Sequence, residues 1–370
     1  LSSLAKVFAD EELKDLSIKK GSALRNEAFS YQVAFRAKKL MKGVHVRIIS
    51  ALHEWVHLRT VGLVPSELPC YPDRDTKILR STPGLYPDPL YPLEPAEGVT
   101  IVPEQWRAIW VTIELNEKVK AGLYPIEVRF ESAAGEILGT AFFELDVIAA
   151  LLPKQKLIHT EWFHTDCIAT YYELDVFSEK HWGRIDQFIQ TAVKHGMNMI
   201  LTPLFTPPLD TKVGGERPTV QLVGVEKNGE QYRFDFDQLL RWVQLCLDRG
   251  VEYFEFSHLF TQWGAQHAPK IIAKENGTLK KKFGWETAAA GEDYKKFLDA
   301  FLPELVVFIK KHNLQKRSYF HVSDEPNIKH LESYRSACEI VSGHLKEFPM
   351  IDALSDYDFY EKGLVKNPIP

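Results

Sequence analysis

The 370-residue chain sets 45 Lys and Arg against 50 Asp and Glu, a formal charge of -5, and is 45% hydrophobic and 12% aromatic. That composition fills sizeable cores and excludes a disordered chain, while the lack of any basic tail or like-charge block argues against a nucleic-acid partner. The length favours two packed units, and no window approaches ~18 uninterrupted apolar residues, so no membrane span is expected.

The opening Leu1-Ser2-Ser3-Leu4-Ala5-Lys6 lacks the basic-then-apolar layout of an export signal. A cytoplasmic protein is expected, with secretion after signal removal as the alternative, since the sequence starts without Met. Cys70, Cys167, Cys246 and Cys338 are widely spaced with no CxxC pair, and read as reduced thiols.

Up to residue 150, short β-branched and aromatic segments alternate with turn residues: Val44 to Ile49, Ala108 to Ile113, Tyr124 to Phe130 and Ala141 to Val147. This rhythm predicts a β-sandwich domain over residues 1–150. Residues 65–103 are dense in proline, including Pro83, Pro87, Pro89, Pro92 and Pro95. An ordered excursion without regular ladder pairing is expected there. His53-Glu54-Trp55-Val56-His57 fits the HExxH pattern, but it lies between two segments of strand character, where residues four apart are ~13 Å apart and cannot share a zinc. No metal site is expected.

From residue 155 the pattern becomes strand, helix, strand. Leu157 to Phe163, Met197 to Phe205, Val251 to Phe260, Ser318 to Ser323 and Met350 to Leu354 read as strands. Ser178 to His195, Phe236 to Arg249, Asp293 to His312 and Ile328 to Lys346 read as helices. Such alternation predicts a parallel (β/α)8 TIM-type barrel over residues 155–370. Only five strands are found where eight are needed, and a closed barrel takes ~250 residues, so a C-terminally incomplete barrel is expected. Val220 to Val225 and Gln231 to Phe234 predict a hairpin around Asn228-Gly229. Asn276-Gly277-Thr278 reads as a turn rather than a glycosylation site, and Lys280-Lys281-Lys282 as a solvated loop.

Active sites of such barrels sit where strands end. The first strand runs into Trp162, His164 and Asp166, the third into His258, Gln262 and Trp263, and the fourth into Asp324-Glu325-Pro326. Carboxylates, imidazoles and indoles on one rim suit a sugar, whose C–H faces pack on tryptophan while polar groups take its hydroxyls. Two adjacent acids past a strand end can both turn inward, each raising the proton affinity of the other, as a general acid for glycoside cleavage requires. The alternative for this pair is a solvated cap on the helix near Ile328.

Tyr71-Pro72-Asp73-Arg74, Pro83 to Asp88, His159 to His164 and Ser323-Asp324-Glu325-Pro326, with the two-part layout, resemble glycoside hydrolase family 123 from about residue 20 to the end. The resemblance implies a β-sandwich followed by a catalytic barrel and release of terminal β-linked N-acetylgalactosamine, without a cofactor. It implies Glu325 as general acid/base and Asp324 as the group that orients the substrate's 2-acetamido for a retaining, substrate-assisted reaction. Trp162, His164, Asp166, His258, Gln262 and Trp263 are expected to contact an oligosaccharide or glycoconjugate. Two other functions compete: a retaining glycosidase with a covalent enzyme nucleophile, and a non-catalytic carbohydrate-binding protein. A homo-oligomer is compatible with the sequence.

Overall fold

The computed structural model describes residues 1–14, 17–93, 98–209 and 211–369. The chain divides into two compact units, Leu1–Lys154 and Gln155–Pro370, in a mixed, strand-rich α/β architecture.

The first unit holds β1 (Lys20–Arg25), β2 (Ala28–Phe35), β3 (Met41–Ile49), β4 (Val56–Ser66), β5 (Gly84–Pro92), β6 (Val99–Ile101), β7 (Arg107–Glu114), β8 (Gly122–Glu131) and β9 (Ile137–Leu151). They form two sheets, ordered β1-β9-β8-β3-β6 and β2-β7-β4-β5. Alternate residues of each strand point inward, so Ile109, Val111 and Ile113 of β7 meet Ile126 and Val128 of β8 and Leu145 of β9 in one apolar cluster. The proline-rich stretch differs from expectation. Residues 84–92 pair with β4 around a register shift between Val61 and Leu63, which proline allows because β5 is an edge strand. Gly62 sits at that irregularity because a Cβ there would lie 2.5 Å from the Tyr91 ring. Pro95 lies outside the described residues. The HExxH residues share no α-helix: His53–Trp55 form one 3-10 turn and His57 enters β4, 3.7 Å from Glu114.

The second unit builds a parallel sheet in the order β10 (Thr160–Glu161), β11 (Met199–Thr202), β14 (Tyr253–Phe256), β17 (Ser318–His321), β18 (Met350–Ala353) and β19 (Asn367–Ile369). The strands follow one another without the reversal of a doubly wound sheet. A sixth strand, β19, therefore joins the five read from the sequence. It contains Pro368 and forms an edge of the sheet. The helices are α1 (Thr165–Tyr171), α2 (Glu179–Lys194), α3 (Asp237–Arg249), α4 (Glu292–Lys311), α5 (Leu331–Leu345) and α6 (Asp358–Glu361). Ser178 caps α2 by accepting from the His181 N–H, and Gly250 ends α3 at φ +96°. Replacing Ser178 with Ala is expected to cost about 1 kcal/mol in denaturant unfolding.

A second, four-stranded sheet runs β13 (Gln231–Asp235), β12 (Gly224–Asn228), β15 (Ile271–Glu275), β16 (Thr278–Phe283). The first hairpin turns through Gly229 and Glu230, and the second through Asn276 and Gly277, with Gly229, Asn276 and Gly277 at positive φ. Lys280 to Lys282 therefore lie in an edge strand, not in a loop.

Candidate active site

On one face of the parallel sheet, Ile200, Phe254, Phe256 and Phe320 pack against α2, α3 and α4 in a continuous apolar cluster. The alternate residues point to the other face, and among them is a charged group: Glu255, fully buried in the middle of β14. Its Oε2 accepts from the Thr160 hydroxyl, and its Oε1 accepts from the Trp162 indole at 3.1 Å and pairs with His321 Nε2 at 2.6 Å. Thr160 lies on β10, two strands away, so the carboxylate bridges alternate strands across β11 as inward side chains do in a curled parallel sheet.

Burial alone would push Glu255 up, but the His321 charge and the three hydrogen bonds outweigh it and hold the carboxyl below its ordinary value. Burial would likewise depress His321, yet Glu255, Asp352 and Asp324 raise it. The two form an imidazolium–carboxylate pair. His258, with its ring 4.3 Å from that of His321 and 1% exposed, is pushed well below its ordinary value by burial, then by the charges of His321 and His164. Among the described residues neither of its ring nitrogens has a hydrogen-bond partner. Trp162 stands edge-on to it at 5.6 Å and to His164 at 6.4 Å.

Beyond β17 the chain leaves strand geometry. Asp324 is 6% exposed, whereas Glu325 is exposed at φ +44°, a conformation costly for a residue with a Cβ. This break ends the up-down alternation and frees the adjacent acids from pointing to opposite faces. Neither acid caps the following helix. Asn327 accepts from Lys329 N–H and Asp356 accepts from Ile328 N–H, and these take the capping positions. Ser355 further braces the exit by donating to the Pro326 carbonyl at 2.6 Å.

The loop after β14 is tied to this segment. Trp263 N–H donates to the Asp324 carbonyl at 2.9 Å, and the Ser323 hydroxyl accepts from Ala265 N–H and donates to the Thr261 carbonyl. Trp263, Gly264 and Ala265 all have positive φ, with Trp263 half exposed. A Cβ on Gly264 would lie 2.5 Å from His330 Cγ. Gly264→Ala is therefore expected to destabilise the protein by ~1–3 kcal/mol, measured by urea unfolding, and to raise KM because the same loop carries Trp263.

Two expected sugar contacts are engaged in holding loops. Both Asp166 oxygens accept from Arg217, at 2.7 and 3.1 Å, while Arg217 also donates to the Leu209 carbonyl. Gln262 donates to the Thr211 carbonyl at 2.7 Å. The structure thus brings Trp162, His164 and His258 together, sets Asp324, Glu325 and Trp263 on neighbouring loops, and uses Asp166 and Gln262 to secure the loop after β11. Glu255 and His321 were not among the expected site residues. The signal available was a lone acid within the aromatic run Tyr253-Phe254-Glu255-Phe256, because buried acids are rare without a partner.

Asp352 of β18 lies beside the segment after β17, fully buried, accepting from the Ser323 N–H at 3.4 Å and the Tyr334 hydroxyl at 2.6 Å. Burial pushes its carboxyl up to about 7, against the opposing influence of His321 and Tyr334. The folded state therefore holds a proton that the unfolded chain releases at about pH 4, and stability from this group falls as pH rises from there to about 7. Asp352→Asn is expected to narrow the difference in melting temperature between about pH 5 and about pH 8; an unchanged difference would contradict the assignment.

The glycoside hydrolase 123 catalytic domain matches this chain over residues 162–370, more than half of its length. The chain belongs to glycoside hydrolase family 123. A solved family 123 glycoside hydrolase from Clostridium perfringens, described for glycolipid glycan hydrolysis, is similar at a TM-score of 0.69 and 14% identity, covering 96% of this chain and 63% of that one. The family 123 chain thus spans less than two thirds of that enzyme's length. The sialic acid binding region of a Streptococcus sanguinis adhesin gives a TM-score of 0.20 at 15% identity, over 55% of this chain and 45% of that one. No curated protein matches the sequence. Among the described residues, no helix is long and apolar enough to cross a membrane.

Proposed function

We propose that this family 123 member is a glycosidase that releases terminal β-linked N-acetylgalactosamine with retention, through the substrate's own acetamido group. The observation that carries the reading is the Asp324-Glu325 pair: two adjacent acids past the end of a parallel strand, one buried and one exposed, with the helix-capping work done by other residues. Glu325 protonates the glycosidic oxygen while the acetamido oxygen attacks the anomeric carbon. Asp324 accepts from the amide N–H and offsets the positive charge of the cyclised intermediate. Glu325, then ionised, takes a proton from the water that opens that intermediate. Trp162 and Trp263 supply apolar faces for the sugar ring, and neutral His258 can donate to and accept from its hydroxyls.

The sequential parallel strands and the concave bridging by Glu255 support a barrel-type catalytic unit, and the two sheets of the first unit support a β-sandwich. The glycolipid glycan named for the Clostridium perfringens enzyme suggests a glycoconjugate as substrate. The test is turnover of paired aryl glycosides. Hydrolysis of the N-acetyl-β-galactosaminide, without hydrolysis of the unacetylated β-galactoside, is the expected result. Equal rates on the two would overturn the acetamido mechanism, as would indifference to an N-acetyl-thiazoline inhibitor. Glycan binding with no turnover of any of them would leave a binding protein.

A further inference from the structure

Glu255 is charged, fully buried and 69 residues upstream of Asp324 in the sequence. Burying a carboxylate costs several kcal/mol unless it is paired and hydrogen-bonded, and an apolar residue would often serve stability equally well. This one is supplied with donors from two other strand ends: the Thr160 hydroxyl on β10 with the Trp162 indole just after it, and His321, the last residue of β17. Two of those three donors flank groups already placed in the site. Trp162 offers a ring face, and His321 lies three residues before Asp324 and interacts with its charge.

We propose that Glu255 is a positioning residue of this site: its carboxylate holds His321 as a cation beside Asp324 and pins the Trp162 indole, keeping Asp324 ionised and the ring platform at a fixed angle. This rests on the reading of Asp324 as the partner of the acetamido group. The charged and titratable groups facing His321 are Glu255 on β14, His258 in the loop after it, Asp352 on β18 and Asp324 beyond its own strand. Three are acids that favour the imidazolium. The fourth, His258, is pushed toward the neutral form by its burial and then by the charge of His321, whose ring is 4.3 Å away. One imidazole is thereby fixed as a charge and its neighbour as a neutral donor and acceptor, and Glu255 is the acid that hydrogen-bonds the charged ring.

Glu255→Gln preserves shape, its amide oxygen still able to accept from Trp162 and its NH2 able to donate to the Thr160 hydroxyl, but it has no charge to hold the cation. The pH profile of kcat/KM on aryl N-acetyl-β-galactosaminide is expected to rise later on its acid side, that limb moving about one unit or more toward alkaline because Asp324 keeps its proton longer without the cation, with about fivefold or more lower activity at its former midpoint. A merely structural Glu255 would lower the melting temperature and leave the limb in place, and that result overturns the proposal. If Glu255→Gln does not fold, nitrogen-15 imaging of the imidazole signals by NMR in the unaltered protein decides: His321 still protonated at about pH 7.5 supports the pairing, and a neutral His321 there overturns it. An active Glu325→Gln would remove the glycosidase assignment itself. An inactive Glu325→Gln with an unmoved limb in Glu255→Gln would remove only the positioning role.

Discussion

Glu325→Gln is expected to lower kcat on an aryl N-acetyl-β-galactosaminide by ~10³-fold, within the range that general acid–base groups contribute, while leaving the unfolding midpoint nearly unchanged. The second half follows from exposure: Glu325 is exposed and has no burial to lose. The first depends on the leaving group. An aglycone of low basicity departs without a proton, so the loss for Glu325→Gln shrinks as the phenol becomes more acidic. Asp324→Asn behaves differently. Its carboxylate acts on the acetamido group and not on the aglycone, so its loss, ~10²–10³-fold by analogy with removal of one electrostatic stabiliser, is expected to be equal for good and poor leaving groups. Rates for the two variants on a nitrophenyl and a dinitrophenyl substrate check both claims at once. Leaving-group dependence in Asp324→Asn, or its absence in Glu325→Gln, would exchange or abolish the two roles.

That the pair could be found in the sequence at all reflects how local its signals are. Pro326 bars any continued strand beyond it, and two adjacent acids stand directly before it. The helices are legible for a similar reason. Ser178 and Gly250 mark the ends of α2 and α3 through conformations that only a few residue types favour. The partners of Glu255 are a different matter. His321 is 66 residues downstream and Thr160 is 95 upstream, so nothing in the local pattern separates a buried, paired acid from an acid that weakens a strand. The hairpin β15–β16 escapes notice because its second strand, at the sheet edge, carries three lysines that protect it from further pairing and look like loop residues. Asp166 and Gln262 have the chemistry of sugar contacts, and only the positions of Arg217 and Thr211 show that they also hold loops.

Phe297→Ala is expected to destabilise the second unit by ~3–5 kcal/mol, the usual cost of removing a buried phenylalanine ring. Phe297 projects from α4 and is fully buried, with its ring between 5.1 and 5.9 Å from those of Phe283, Tyr232, Phe205, Phe234, Phe301 and Tyr294. Two of these contacts, with Tyr232 and Phe234, are edge-on, each worth ~0.5–1.5 kcal/mol beyond the apolar area. These rings come from β13, β16, α4 and the loop after β11, so the void opens where the four-stranded sheet packs on α4 and cannot close by moving one element. That sheet in turn holds the loop after β11, since Gln221 bonds to Ile272 of β15 through both its amide groups, and the same loop carries Arg217 to Asp166. This chain of contacts meets Asp324 only at the backbone, through Thr211, Gln262 and the Trp263 N–H. The variant should therefore lose unfolding free energy and bind substrate less tightly, while kcat of the folded fraction stays within about twofold; a kcat that falls in step with stability would place the α4 cluster in the catalytic apparatus instead of beneath it.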